Sequence, residues 1–244
     1  MARPDLLESR ALLLRRNFDT DGKRTLCPPR PFMIELFGVP KSGKSTVKEM
    51  LKHFFKRNGW LISAPVEGAE FVELPRDEPQ YNFQTAEYAM TRARELSYNN
   101  RFHMAIFDRA IYDGVVRMEY YRDKGVITPE EQTAIEGYLL NRWNRALFDL
   151  HVCLVVDPEI AIQRELTRAI TKKDGDTMNP KSLKALLSAH ERVWERLGCA
   201  DSPAMYWHDS SGEDPGQTAG IILEKVLDAF SLRMARLATA AATR

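Results

Sequence analysis

The chain has 244 residues, and 35 basic side chains against 34 acidic ones leave a formal charge of +1. That balance argues against a nucleic-acid polymer or a membrane surface as partner, so any anion site must be local. Cys27, Cys153 and Cys199 lie far apart without a C-x-x-C pair, and neither a secretory leader pattern nor a bilayer-length apolar run is present; the expectation is a reduced, soluble, cytoplasmic protein without disulfides or zinc.

In chain order, DLLESRALLLRR (5–16) places leucines on one helical face, and NFDTDGKRTLCPPRP (17–31) is rich in turn formers. The expected organisation is an N-terminal helix and tether over 1–31, then one domain over 32–244. From Pro31 onward, short apolar runs alternate with longer amphipathic segments, the pattern of β-α units around a parallel sheet. Strands are expected at 32–37, 60–66, 103–108, 151–157 and 204–209. Helices are expected at 44–57, 83–99, 109–123, 129–148, 158–171, 180–197 and 217–236. Thr128-Pro129 and Asp157-Pro158 each put a capping side chain before a proline suited to the first helical position. The fold class is therefore α/β, a five-stranded parallel sheet flanked by helices.

Gly38-Val39-Pro40-Lys41-Ser42-Gly43-Lys44-Ser45 matches G-x-x-x-x-G-K-S in full and falls between a predicted strand and a predicted helix. Such a loop wraps backbone N–H groups around a β-phosphate. Gly38 and Gly43 allow the close approach, with Lys41, Ser42 and Thr46 along the same cradle. Lys44 is placed to bridge the β- and γ-phosphates, and Ser45 to reach Mg²⁺. ATP and Mg²⁺ are the expected cofactors. The loop names a donor and leaves the reaction open, because kinases, switches and motors share it.

A second strand ends in FDRAIYDG, putting Asp108 and Arg109 at the carboxyl edge of the same sheet, where ligands bind. Asp108 could orient a metal-bound water or accept a proton, and Arg109 could neutralise a transferring phosphate. Upstream, Gln84, Tyr88 and Arg92 recur every four residues as a polar stripe able to read and stack on a heterocycle. Arg164, Arg168 and Lys172 follow the strand ending at Asp157 and form a basic stripe running into a loop, a candidate lid over about 164–180. The five histidines lack metal-ligand spacing, and Trp60, Trp143 and Trp194 read as packing residues.

In order and spacing these pieces resemble the deoxynucleoside kinase family and, more distantly, the thymidylate kinases, over about residues 32–235. FQTAEYAMTRAREL is similar to the family's Phe-Gln-Thr segment, FDRAIYDG to its Glu-Arg-Ser motif (Asp-Arg in thymidylate kinases), and LVVDPEIAIQRELTR to its strand, helix start and R-x-x-x-R lid. The resemblance implies a P-loop kinase fold and phosphoryl transfer to a small nucleoside or nucleotide acceptor. It assigns Lys44 and Ser45 to phosphate and Mg²⁺, Gln84 and Arg92 to the acceptor base, Arg109 to the transferring phosphate, and Arg164 and Arg168 to the lid. It also implies a homodimer through helices flanking the Asp-Arg segment. Two departures stand out: Ala64-Pro65 occupies the place of the family's Glu-Pro, whose Glu is the base, and Gly114 that of a base-reading Asp, with Asp113 one position early. Glu67 or Asp108 then takes the role of base. The same departures leave open a P-loop kinase for a non-nucleoside hydroxyl compound, or a non-catalytic nucleotide sensor.

Overall fold

A computed structural model describes residues 4–19, 30–99, 101–167 and 178–242. Five parallel strands, β1 (Phe32–Gly38), β2 (Ile62–Ser63), β3 (Met104–Asp108), β4 (Leu150–Val155) and β5 (Met205–Asp209), form one sheet in the order β2-β3-β1-β4-β5. The helices are α1 (Pro4–Asp19), α2 (Lys44–Arg57), α3 (Pro79–Ser97), α4 (Ile111–Asp123), α5 (Pro129–Leu139), α6 (Arg142–Arg145), α7 (Pro158–Leu166), α8 (Pro180–Arg196) and α9 (Pro215–Ala242). The expected parallel α/β sheet is the one observed.

Every residue of β1 is buried, because β3 and β4 flank it in register (Ile34 opposite Ile106 and Leu150) and helices cover both faces. Its side chains alternate. Phe32, Ile34 and Leu36 pack with Val47, Leu51 and Phe55 of α2 and with Ile222, Val226 and Phe230 of α9. Met33 and Phe37 pack on the other side with α3, α4 and α8. The N-terminal helix joins the first layer by burying Leu7 and Ala11, and Arg10 pairs with Asp228 of α9 at 2.6 Å. Residues 111–121 of α4 are all buried beneath α3, α5 and α8. The helix that follows Asp-Arg, expected to serve a dimer, is therefore covered within one chain.

Three local expectations change. Over 60–66 only Ile62 and Ser63 pair with β3, since Pro65 has no N–H to give a ladder and the chain leaves the sheet towards the site. The helix expected over 129–148 breaks after Leu139: the Asn141 side chain accepts the N–H groups of Trp143 and Asn144 and caps a new turn. That short turn puts Trp143 outside, 69% exposed, with the Arg142 guanidinium 4.8 Å from its ring. Trp60 is buried, and Trp194 meets Trp207 edge-on. Both expected proline-start caps form, Thr128 as a full capping box and Asp157 through the N–H of Glu159 at 2.7 Å. Cys153 and Cys199 are buried free thiols, whereas Cys27 lies outside the described residues.

Candidate active site

The phosphate loop leaves the end of β1 where only glycine fits. Gly38 has φ +137°, and a Cβ there would meet the Leu154 carbonyl oxygen of β4 at 1.8 Å. Gly43 starts α2 at φ +98°, turning backbone N–H groups inward. Lys44 is buried and its Nζ donates to the Val39 carbonyl at 2.7 Å. Burial, with Arg109 adding repulsion, brings its pKa down to about 8. Ser45 Oγ donates to Asp108 Oδ2 at 2.6 Å.

Arg164 is engaged at the donor end. Its Nη1 donates to the Lys41 carbonyl at 3.1 Å and its Nη2 to the Ser210 carbonyl at 2.7 Å. Ser210 Oγ in turn donates to the Ser42 carbonyl at 3.0 Å. The loop after β5 is thus fastened to the phosphate loop, and Lys41 reaches back to pair with Glu165. Arg168, Lys172 and most of the expected lid lie outside the described residues.

Opposite stands a group of buried charges. Arg109 adopts a left-handed backbone, φ +66°, with its N–H donating to the Leu36 carbonyl at 2.8 Å. Its Nε lies 3.2 Å from Glu67 Oε1 and 3.9 Å from Asp113 Oδ1, and Arg117 Nε is 3.7 Å from Asp113 Oδ2. Burial opposes the Arg109 charge, but Asp113, Glu67 and Asp108 outweigh it and raise the pKa. Burial pushes Glu67 up despite Arg109, while Arg109 and Arg117 hold Asp113 down against its own burial. Among the described residues, Asp108 Oδ1, Asp113 Oδ1, Arg109 Nε and Arg117 Nε are buried without a hydrogen-bond partner. Buried polar atoms rarely stay unsatisfied in a finished core; gathered beside one opening, they mark a place built for a ligand.

That opening is a cleft of about 730 Å³ into which the phosphate loop, Thr46, Glu67, Asp108, Arg109 and Arg164 all face. Its size suits a nucleotide with a second small molecule. Mg²⁺ fits the donor side: a hydroxyl and a carboxylate stand together at Ser45 and Asp108, with one carboxylate oxygen unused. Among the described residues no group of three or more His, Cys, Asp or Glu could hold a metal ion.

The α3 stripe lies elsewhere. Gln84 is exposed, Tyr88 stacks on Phe71 with centroids 5.2 Å apart, and Arg92 pairs with Glu95; none lines the cleft. The helix turns Tyr81 and Asn82 to the cleft instead, because its apolar residues Ala86, Ala89, Met90 and Ala93 must join the core beside α4 and carry the 84-88-92 stripe outward. Asn82 Nδ2 donates to Tyr121 Oη at 2.9 Å. Reading the sequence missed Tyr81, Asn82 and Arg117. Asp113 and Arg117 did carry a signal, an i,i+4 pair of charges in a helix otherwise apolar enough to be buried.

The fold and the loop together define a P-loop kinase-like α/β protein. No protein-family model matches the chain, and no curated protein matches it in sequence. A deoxyadenosine kinase from M. mycoides with bound dCTP superposes with a TM-score of 0.54 at 20% identity, covering 80% of this chain and 98% of that one. The same enzyme with bound dATP gives 0.54 at 21%, covering 80% and 99%. A thymidylate kinase from Candida albicans gives 0.56 at 14%, covering 84% and 94%. The resemblance to deoxynucleoside and thymidylate kinases is thus matched across the fold. At these identities the fold is what is shared. No helix among the described residues is long and apolar enough to cross a membrane.

Proposed function

We propose that this protein is a phosphotransferase that moves the γ-phosphoryl group of ATP, with Mg²⁺, to a nucleoside or nucleotide. The observation that carries the reading is that the phosphate loop and the Glu67-Arg109 pair open into one cleft, with Asp108 between them. For a hydroxyl acceptor, its oxygen attacks the γ-phosphorus, the bond to the β–γ bridging oxygen breaks, ADP leaves, and Glu67 takes the hydroxyl proton. Burial favours Glu67 as base by raising its pKa towards working pH. Lys44 and Arg109 spread charge on the transferring group, and Ser45 and Asp108 would hold the ion, which would supply charge neutralisation on the phosphates when bound. Arg164 holds the donor loop in shape. Glu67 would thereby stand in for the carboxylate absent at Ala64, which favours transfer over the non-catalytic sensor.

Structures of similar fold include a deoxyadenosine kinase and a thymidylate kinase, which supports a nucleoside or nucleotide acceptor. A kinase for another hydroxyl compound is the second reading, favoured by the outward-facing Gln84, Tyr88 and Arg92. Incubation with γ-labelled ATP and a panel of nucleosides, monophosphates and other hydroxyl compounds separates the two. Label on no nucleoside or nucleotide overturns the first reading, and label on another hydroxyl compound establishes the second. We further propose a cytoplasmic homodimer; with α4 covered, contact must come from other surfaces, and a monomer mass by light scattering overturns it.

A further inference from the structure

We propose that Glu35, a residue outside the cleft, is the positioning residue that sets Arg109 and Asp113 for phosphoryl transfer. A carboxylate in the middle of a central strand is costly to bury unless every lone pair is used. Glu35 is 0% exposed. Its side chain points from β1 at the first turn of α4, where Oε1 accepts the N–H groups of Ala110 at 2.9 Å, Tyr112 at 3.0 Å and Asp113 at 3.2 Å. Oε2 meets His151 Nδ1 of β4 at 2.8 Å.

The α4 helix has no cap of its own. Its N-cap residue is Ala110, at φ −156° and ψ −120°, and offers no side-chain acceptor. Glu35 does what an N-cap side chain does elsewhere, from a strand 75 residues earlier in the chain, and adds a full negative charge at the positive end of the helix. Arg109 lies between the strand that carries Asp108 and the turn that Glu35 holds, in the left-handed region that a non-glycine residue occupies only when its surroundings dictate it. Two fastenings dictate it: the Arg109 N–H on the Leu36 carbonyl of β1, and the next N–H, of Ala110, on Glu35 of the same strand. From that turn the Arg109 guanidinium reaches Glu67, and Asp113, whose own N–H is held by Glu35, reaches Arg109 and Arg117. His151 keeps the second oxygen from swinging away.

The inference rests on reading Arg109 as the cation at the transferring phosphate, so its test begins with a measurement independent of turnover. The Arg109 Nε–H resonance, assigned with Arg109→Lys, is expected to exchange slowly with solvent in the parent protein. Glu35→Asp keeps the charge but withdraws it by one methylene. It is expected to speed that exchange at least tenfold while binding of a fluorescent ATP analogue stays within twofold. Glu35→Gln, which can still accept the three N–H groups, is expected to fall between them and serves as the folding-safe variant. Where transfer is measured, kcat should fall at least tenfold in Glu35→Asp with the donor KM unchanged, and Glu35→Gln should restore part of it. Unchanged Arg109 exchange in both folded variants overturns the proposal. So does a parallel loss of ATP-analogue affinity and thermal stability, which marks a merely structural role. A parent protein that transfers to nothing overturns the proposed function instead, and the Arg109 exchange still decides the role of Glu35.

Discussion

The two halves of the cleft are built by different means. The donor half is one contiguous loop whose work is done by backbone groups, glycines and a single lysine, with Arg164 and Ser210 clamping it from outside. The acceptor half is assembled from side chains that arrive separately: Glu67 after β2, Tyr81 and Asn82 on α3, Arg109 after β3, and Arg117 on α4. Its charges are buried and incompletely hydrogen-bonded, and each unsatisfied group costs about 1–3 kcal/mol. The donor half offers a ligand inward-turned backbone N–H groups and a buried lysine, whereas the acceptor half offers buried charged side chains that hold one another in ion pairs.

Removing the central charged group of each half, Lys44 and Glu67, tests that contrast most severely. Lys44→Ala is expected to lower kcat/KM for ATP by roughly 10³-fold or more, because it removes the cation that a phosphate loop sets against the β- and γ-phosphates. Retained transfer in this variant would sink the mechanism. Glu67→Gln, nearly isosteric, is expected to cut kcat by about 10²–10⁴-fold while leaving nucleotide affinity within twofold. The size of this effect sharpens the assignment of the acceptor, since a hydroxyl needs a base and a monophosphate oxygen does not. A loss below threefold with an otherwise active protein would point to a monophosphate.

The halves also titrate oppositely. Lys44 has its pKa lowered to about 8 by burial and by Arg109 in the unliganded site, whereas a bound triphosphate favours its charged form. Below pH 8 the lysine is already protonated and nucleotide affinity should be flat. Above it, binding must take up a proton, so affinity should fall by up to about tenfold per pH unit. Calorimetry in buffers of different ionisation enthalpy reads that proton directly, and Lys44→Ala should abolish the uptake. Glu67 works as a base only when ionised. Since burial raises its pKa, kcat should fall on the acid side at a higher pH than an exposed glutamate would give, and Glu67→Gln should flatten that limb.

The same contrast explains what could be read from the sequence. The strand, glycine loop, lysine, serine and helix of the donor half are neighbours along the chain, and local chemistry dictates their structure. The sheet was legible for a similar reason, since runs such as FMIELF and HVCLVV can be buried only as strands covered on both faces. Asp108 and Arg109 were legible because they end such a strand. Arg117, Tyr81 and Asn82 were not, because which face of a helix meets a cleft depends on how the helix is rotated against the sheet. Glu35 was visible as a charge inside an apolar strand, but its partners come from residues 110–113 and 151, and nothing local announces them.

The rotation of α3 gives the smallest effect and the most specific one. If the cleft is read by the face that now meets it, Asn82→Ala should raise the acceptor KM by about fivefold to tenfold, the equivalent of one hydrogen bond, with the ATP KM unchanged. Gln84→Ala should change it less than twofold, since Gln84 is exposed and outside the cleft. Steady-state kinetics at saturating ATP distinguishes them, and Tyr121→Phe serves as a control for the bond Asn82 makes to Tyr121. The reverse ranking would mean that α3 turns when the acceptor binds. A turn of that size would pull Ala86, Ala89 and Ala93 out of the core beside α4, and it should then appear as faster hydrogen exchange along α3 in the liganded protein.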